Sequence, residues 1–566
     1  LFPAHVREKT DYYFDEETTG KARFLLALLF REDGATTLSL RRTFTRRRRI
    51  SLFFGHRPKN LPNFFTFHYY LSLDFMRLIV HNTTGLLNEY HFQSLCLLYF
   101  PAERFSDGET SDVEAVFTLS ESENGLFARV ELDTPHGKGS AEFDESMMTF
   151  SVPTDRDARA AAVAGKAFLK CGNALFGFIP PWGYLTGLRP VKRAKYYLER
   201  GYSDAQVIHL FMNDYSVCRE KALLSVETAR REMSMLADVT PDMCGVYVSV
   251  PFCPTRCDYC SFVSYANKKL FDLIPAYIDR VSEDIIKTGR LIKELGFRPI
   301  ALYIGGGTPS FLSKEQLEKL LGTINDSIDM TYMREYSFEG GRPDTLTAEK
   351  LALIRSFGID RISVNPQTTN DRALRAIGRK HTTEQFYAAA ELAMKQGFRS
   401  VNADLIAGLP EDTFDDFAKS IEDVTALGFD NVTVHSLSIK NAAELKNDGD
   451  SFDPVGSLAR RCVAYAHDEL AAKGLEPYYL YRQKRTVGNG ENTGYALPGR
   501  ENLYNVMMME EFSTVFACGA GAITKLVSPE KDKIERIAFQ KYPFEYLSDD
   551  NGIGGERAAS FFGRNV

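Results

Sequence analysis

Between residues 246 and 437, two kinds of apolar pattern alternate. Short runs rich in β-branched and aromatic residues read as buried strands: VYVSV (246–250), ALYIGG (301–306), YSFEG (336–340), RISVN (361–365), VNADLIAG (401–408) and NVTVHSL (431–437). The gaps hold segments with apolar residues at helical spacing, such as KEQLEKLLGTI and FDDFAKSIEDVTAL. Six strand–helix units predict an α/β fold with a parallel sheet, open or curled into a partial barrel. In such folds function gathers at the C-terminal ends of the strands.

The flanks read differently. From Met76 to about residue 150, AVFTLSE and GLFARVEL flank the turn SENG, the pattern of an antiparallel meander. From about 156 to 236 the spacing turns helical, around PPWGYLTGLRPVK and the single tryptophan, Trp182. Residues 76–240 are therefore expected to form an α+β accessory module, 241–440 the (βα)6 unit, and 441–566 a small mixed C-terminal domain covering the substrate. Residues 1–75 stand apart. No acid lies between Asp33 and Asp74, while Arg41, Arg42, Arg46, Arg47, Arg48, Arg49, Arg57 and Lys59 do. A basic arm for nucleic acid or anionic lipid is one reading. The reading favoured is a poorly structured extension, with Met76 as the true initiator.

Composition narrows the class. The chain is 44% hydrophobic and 25% charged, with net charge −7, an ordinary globular profile that advertises no nucleic-acid partner. FLLALLF (24–30) is far short of the ~20 apolar residues of a membrane span. A cytoplasmic chain is expected. Nine cysteines in 566 residues make no disulfide framework.

Three of those cysteines cluster in VYVSVPFCPTRCDYCSF: Cys253, Cys257 and Cys260, directly after the first strand. A structural zinc site closes with four Cys or His ligands, yet the nearest histidines are His209 and His381. Thiolates also hold [4Fe–4S] clusters, usually four to a cluster. Three leave one iron open, and an open metal position is where a ligand binds and reacts.

CxxxCxxC on the loop after the first strand of a (βα)6 unit resembles the radical S-adenosylmethionine (SAM) enzymes. The resemblance implies a partial TIM-like barrel, a [4Fe–4S] cluster, and SAM chelated to the open iron. A reducing donor such as flavodoxin or ferredoxin would supply the electron that cleaves SAM to a 5′-deoxyadenosyl radical. Within the superfamily, the motifs resemble the oxygen-independent coproporphyrinogen III oxidase branch, most of all its HemZ-type dehydrogenases. The segments carrying the likeness are PWGYLTGLRPVK, PFCPTRCDYCSF, YRQKRTVGNGENTGYALPG and EEFSTVFACGAGAITK. Carried over position by position, Tyr247, Tyr259, Gly306, Gly307, Thr308 and Glu339 would serve the first SAM. Gln367, Arg379 and Asp404 would serve a second. The implied reaction is oxidative decarboxylation of coproporphyrinogen III to protoporphyrinogen IX. Alternatives are a heme chaperone or carrier of the same family, or a radical enzyme acting on another tetrapyrrole. Arg482, Lys484, Arg485, Arg500, Arg189 and Lys192 are candidates to meet a tetrapyrrole's carboxylates. Two departures stand out: Phe262 where the best-understood oxidase pattern has a fourth cysteine, and Ser249 where it has a histidine. The heme chaperones carry a His-Asn-x-x-Tyr-Trp motif, and the corresponding stretch here is ENLYNV (501–506).

Overall fold

The structure, a computed structural model, describes residues 9–13, 41–43 and 49–53, then 75–564 except 102–103, 106–110, 188, 261, 439–455, 484–485 and 550–551. The chain divides into two compact units, Leu1–Asp74 and Phe75–Val566. In the first, β1 (Lys9–Tyr13), β2 (Arg41–Thr43) and β3 (Arg49–Phe53) pair antiparallel in the order β1-β3-β2. The remainder of the expected basic extension, with the central arginines of RTFTRRRRI, lies outside the described residues.

The second unit begins with a five-stranded sheet. It comprises β4 (Phe75–Asn82), β5 (Arg104–Phe105), β6 (Val113–Ser122), β7 (Gly125–Thr134) and β8 (Gly137–Asp144), in the order β5-β4-β6-β7-β8. The three strands β6 to β8 form the expected antiparallel meander, but β4 joins β6 in parallel. A parallel neighbour needs a crossover, and helix Glu89–Cys96 lies in that connection. Alternate residues of β6 and β7 are buried, under the helix Arg156–Phe176. Asp155 caps that helix by accepting from the Ala158 N–H. Phe117 and Phe168 stack across this interface at 5.5 Å. Helices Pro190–Leu198, Asp204–Tyr215 and Arg219–Met235 then enclose a separate core that contains Trp182.

The strands read from the sequence come next, in parallel and in sequential order: β9 (Met243–Val250), β10 (Arg298–Gly306), β11 (Glu335–Phe338), β12 (Arg361–Ser363), β13 (Ser400–Ala407) and β14 (Asn431–Ser436). Ser313 with Gln316, Thr382 with Gln385 and Thr413 with Asp416 form reciprocal caps that start three of the intervening helices. Buried Val248, Leu302, Ile304, Phe338, Ile362 and Leu405 belong to the core beneath them.

The segment expected as a C-terminal domain extends this same sheet at both edges. β15 (Glu476–Arg482) and β16 (Glu491–Ala496) add antiparallel beyond β14, while β17 (Val515–Cys518) adds parallel to β9, followed by β18 (Ile523–Val527) and β19 (Ile534–Ala538). The eleven-stranded sheet runs β15-β16-β14-β13-β12-β11-β10-β9-β17-β18-β19. Its ends do not pair among the described residues, so the barrel is partial.

Candidate site at the strand ends

Val250 at the end of β9 pairs with Gly306 at the end of β10, so the loops after both strands leave side by side. The cysteine loop and the GGGTP loop are then stitched together. The Gly307 N–H donates to the Val250 carbonyl and the Thr308 N–H to the Phe252 carbonyl, both at 2.8 Å. This approach is why position 307 is glycine: a Cβ there would lie 2.7 Å from the Phe252 carbonyl oxygen. Gly306 has φ +109°, a conformation that also favours glycine.

The three cysteines share this loop. Cys257 is buried, while Cys253 and Cys260 are half-buried. Thr308 Oγ1 donates to Cys253 Sγ at 3.3 Å. Burial pushes the Cys253 thiol up to about 11, and the neighbouring Cys260 and Cys257 sulfurs push the same way. Burial also raises Cys260, helped by Cys257. Three cysteines on one loop would suit an iron–sulfur cluster, whose irons take deprotonated sulfur and displace those protons.

Arg379, buried, reaches the loop from the connection after β12. Its Nη1 donates to the Tyr259 hydroxyl at 3.1 Å and faces Cys257 Sγ at 4.0 Å. Its Nη2 donates to the carbonyls of Asn365 (2.6 Å) and Gly341 (3.0 Å), and its Nε to His381 Nδ1 (3.2 Å). Every donor of the guanidinium is thus directed at the protein. Arg379, expected to meet a second SAM, braces the cysteine loop through these bonds.

The remaining expected residues line the strand ends. Burial pushes the Glu339 carboxyl up to about 8, with the Asp404 charge adding; the Gly306 N–H and the Tyr303 hydroxyl oppose it. Asp404 accepts from Asn365 Nδ2 and Asn402 Nδ2, each at 2.8 Å. His435 Nε2 lies 3.9 Å from Asp404, and its Nδ1 is 3.2 Å from Asn492 Oδ1. Gln367 has φ +69°, a left-handed conformation that costs a non-glycine residue about 1 kcal/mol. It is held there because its N–H bonds the Asp404 carbonyl while its own carbonyl accepts from Ile406. Tyr247 stacks with Tyr303 at 6.3 Å and Tyr504 at 6.1 Å, and those two stack at 4.9 Å. Tyr303, Tyr504, Asn365 and His435 were not singled out from sequence. For Tyr303, Asn365 and His435 the signal was a polar or aromatic residue inside or just after an apolar strand, whereas Tyr504 lies in the helix Leu503–Glu510.

The surplus of carboxylates fits a cationic ligand, and SAM carries a sulfonium and an ammonium group. The residues present therefore fit both cofactors: Cys253, Cys257 and Cys260 for the cluster; Tyr247, Tyr259, Gly306, Gly307, Thr308 and Glu339 beside it for SAM.

The cations proposed for substrate carboxylates are mostly engaged elsewhere. Arg482, buried, donates to the Leu185 carbonyl and lies over the Trp182 ring. Arg189 and Lys192 pair with Glu511, and Arg500 with Asp430. Lys484 and Arg485 lie outside the described residues. Cys244 and Cys518 are buried core thiols, Cys518 donating to Thr288 at 3.2 Å. No helix among the described residues is long and apolar enough to cross a membrane.

Comparison with known proteins adds four findings. The radical SAM superfamily profile matches residues 247–424. The "Oxygen-independent coproporphyrinogen-III oxidase-like protein HemZ" of Bacillus subtilis (strain 168) is 35% identical over 397 residues, 68% of this chain and 78% of that protein. The "Heme chaperone HemW" of the same organism is 29% identical over 53% of this chain and 78% of that protein. Among solved structures, the coproporphyrinogen III oxidase (HemN) from Escherichia coli, described as a radical SAM enzyme, is 23% identical with a TM-score of 0.45, covering 57% of this chain and 72% of that one.

Proposed function

The chain belongs to the radical SAM superfamily and, within it, to the oxygen-independent coproporphyrinogen III oxidase-like branch, and from that premise we propose that it oxidatively decarboxylates coproporphyrinogen III to protoporphyrinogen IX in the cytoplasm. Superfamily members use a [4Fe–4S] cluster and SAM, which together supply a 5′-deoxyadenosyl radical able to take a hydrogen atom. Each propionate would lose a β-hydrogen atom to that radical and its carboxyl group as carbon dioxide. One electron per propionate remains for an external acceptor, and a vinyl group results.

The chain's own residues bind and orient. Cys253, Cys257 and Cys260 hold the cluster, and Arg379 fixes the loop that carries them. Gly306, Gly307 and Thr308 bring backbone groups to the methionine end of SAM. Glu339 accepts from ribose hydroxyls, and the tyrosine stack Tyr247–Tyr303–Tyr504 keeps water from the reacting end. Asp404 and Gln367, linked through their backbones, line the space beside it.

The observation that favours an enzyme over a carrier is the stretch Glu501–Val506. Asn502 caps the helix Leu503–Glu510, Tyr504 stacks in the interior, and Glu501 pairs with Arg231. The positions of the chaperone heme motif are here used up in packing.

The test is anaerobic turnover of reconstituted protein with SAM, reductant, coproporphyrinogen III and cell extract as acceptor, with Cys257→Ser as control. Successive loss of two carbon dioxide units with 5′-deoxyadenosine is expected, both absent in the control. Deoxyadenosine without decarboxylation would move the reading to another tetrapyrrole. Tight heme binding with no SAM cleavage would make the protein a carrier.

A further inference from the structure

We infer that the outer side of the cysteine loop is the docking face for a small acidic electron-transfer protein. The inference rests on the cluster reading above and adds where reducing equivalents enter.

The loop has two unlike sides. Inward, Cys257 and Tyr259 meet Arg379, and Tyr259 packs against the apolar group that includes Leu374, Ile377 and Ile406. Outward, Phe262 stands two residues beyond Cys260 and is 68% exposed. Tyr542 and Phe544 are 49% and 55% exposed, and Tyr265 ties them to the loop. The Tyr265 hydroxyl donates to the Lys541 carbonyl at 3.2 Å, its ring lies 5.6 Å from Tyr542, and Tyr542 lies 6.0 Å from Phe544. Tyr265 is itself bonded to the backbone of the loop: its carbonyl accepts from the Cys253 N–H at 3.0 Å, and its N–H donates to the Pro251 carbonyl at 2.8 Å. The aromatic face and the first cluster ligand therefore share one rigid piece of backbone.

Exposed aromatics gathered at one place mark a surface that something covers. Charge selects what covers it. The two segments that build the face, Phe262–Phe271 and Ala538–Phe544, carry exposed Lys268, Lys269 and Lys541 against two acids at their ends, Asp272 and Glu545, the latter near enough to raise the Tyr265 hydroxyl. Aromatic anchors supply affinity, and a basic rim steers an acidic partner into register. A cluster reduced from outside needs such a face beside it, because the inward side is filled by protein.

Reduced flavodoxin is the probe, and bleaching of the cluster's visible absorbance after anaerobic mixing is the readout. The double variant Phe262→Ser/Phe544→Ser should lower the second-order reduction rate by about tenfold or more, and Lys541→Glu should lower it and flatten its salt dependence. Reduction by dithionite and the iron content should match the parent in every variant, since the changed side chains are exposed. Flavodoxin rates equal to the parent's in all variants would overturn the docking face while leaving the cluster reading intact. A dimer of the parent that the variants render monomeric, at unchanged flavodoxin rates, would assign the face to a second copy and overturn the inference. Parent protein that takes up no iron and sulfide would overturn the cluster reading and this inference with it.

Discussion

Two regions of this molecule each hold a buried arginine near a glutamate, Glu491 buried and Glu339 half-buried, and they do so to different ends. At the junction between the accessory helices and β15–β16, Glu491 accepts from Trp182 Nε1 at 2.8 Å and pairs with Lys221, and Arg482 lies over the indole 5.2 Å away. Burial opposes the Glu491 charge, but Lys221, Trp182 and Arg482 outweigh it and hold the carboxyl below its ordinary value. At the strand ends, Arg379 is directed at a thiol, a phenol, an imidazole and two carbonyls, while Glu339 is left with its carboxyl pushed up to about 8. The junction pairs its glutamate within the chain, although burial lowers Arg482 to about 10 and leaves its Nε without a hydrogen-bond partner among the described residues. The strand-end site holds an acid that a cationic ligand would complete. Burial of a charge alone does not separate a brace from a binding site; the matching of its partners does.

The largest way to break that contrast is at Arg379. Arg379→Gln removes the cation beside Cys257 and the bond to Tyr259, and supporting residues of metal sites typically cost about 10–100-fold on loss. A fall of that size in cluster occupancy or deoxyadenosine formation is expected, with the melting temperature lowered less than by the junction variant below. Arg379→Lys should recover part of it, because charge returns without the fork. Cluster iron content and reduction potential are the readouts. A variant with parental iron content and potential would make Arg379 an ordinary structural arginine and erase the distinction.

The junction should answer in stability instead. Arg482→Met removes a buried cation stacked on Trp182 and leaves the Leu185 carbonyl without that donor. A buried acceptor left without its donor costs about 1–3 kcal/mol. Denaturant unfolding should show that loss, while deoxyadenosine formation per folded molecule stays at the parental level. If turnover falls and stability does not, Arg482 belongs to the substrate, as its position in YRQKR first suggested.

That reversal marks the boundary of what one sequence displays. The six strands of the barrel were legible because parallel strands buried on both faces are written as continuous β-branched runs. The cysteine loop was legible because its ligands lie within eight residues. The place of Arg482 beside Trp182 was not legible because an alternating strand tells which residues share a face and not which face meets an accessory module far back in the chain. Arg379 meets Cys257 across 122 residues, a contact set by strand register rather than by local pattern. The run VFAC around Cys518 is too short to announce that it lies beside β9, some 265 residues upstream. The site's outline was therefore readable wherever chemistry is local, and its braces were hidden wherever they come from another strand.

The smallest effect sharpens the comparison through pH, because the two glutamates carry opposite signs. Folding raises the Glu339 carboxyl from its ordinary 4.5 to about 8. Between those values the folded chain keeps a proton that the unfolded chain has released. The stabilisation is therefore complete below about pH 4.5 and is lost as pH rises through about 8. Glu491 is lowered by folding, so its contribution is present above the ordinary carboxylate range and is lost as pH falls through its lowered value. In SAM-free protein, Glu339→Gln should remove a decline of about 1–3 kcal/mol between pH 5 and 8 and leave the acid limb unchanged. Glu491→Gln should alter the acid limb and leave the upper slope in place. SAM should act on the parent as the Glu339 variant cannot: a cation beside the carboxyl favours its ionised form, so binding should release protons at pH 7, measurable by calorimetry in buffers of different ionisation enthalpy. Equal proton release by parent and Glu339→Gln would show that the acid is not part of the SAM site, and the two glutamates would then differ only in how well the fold pairs them.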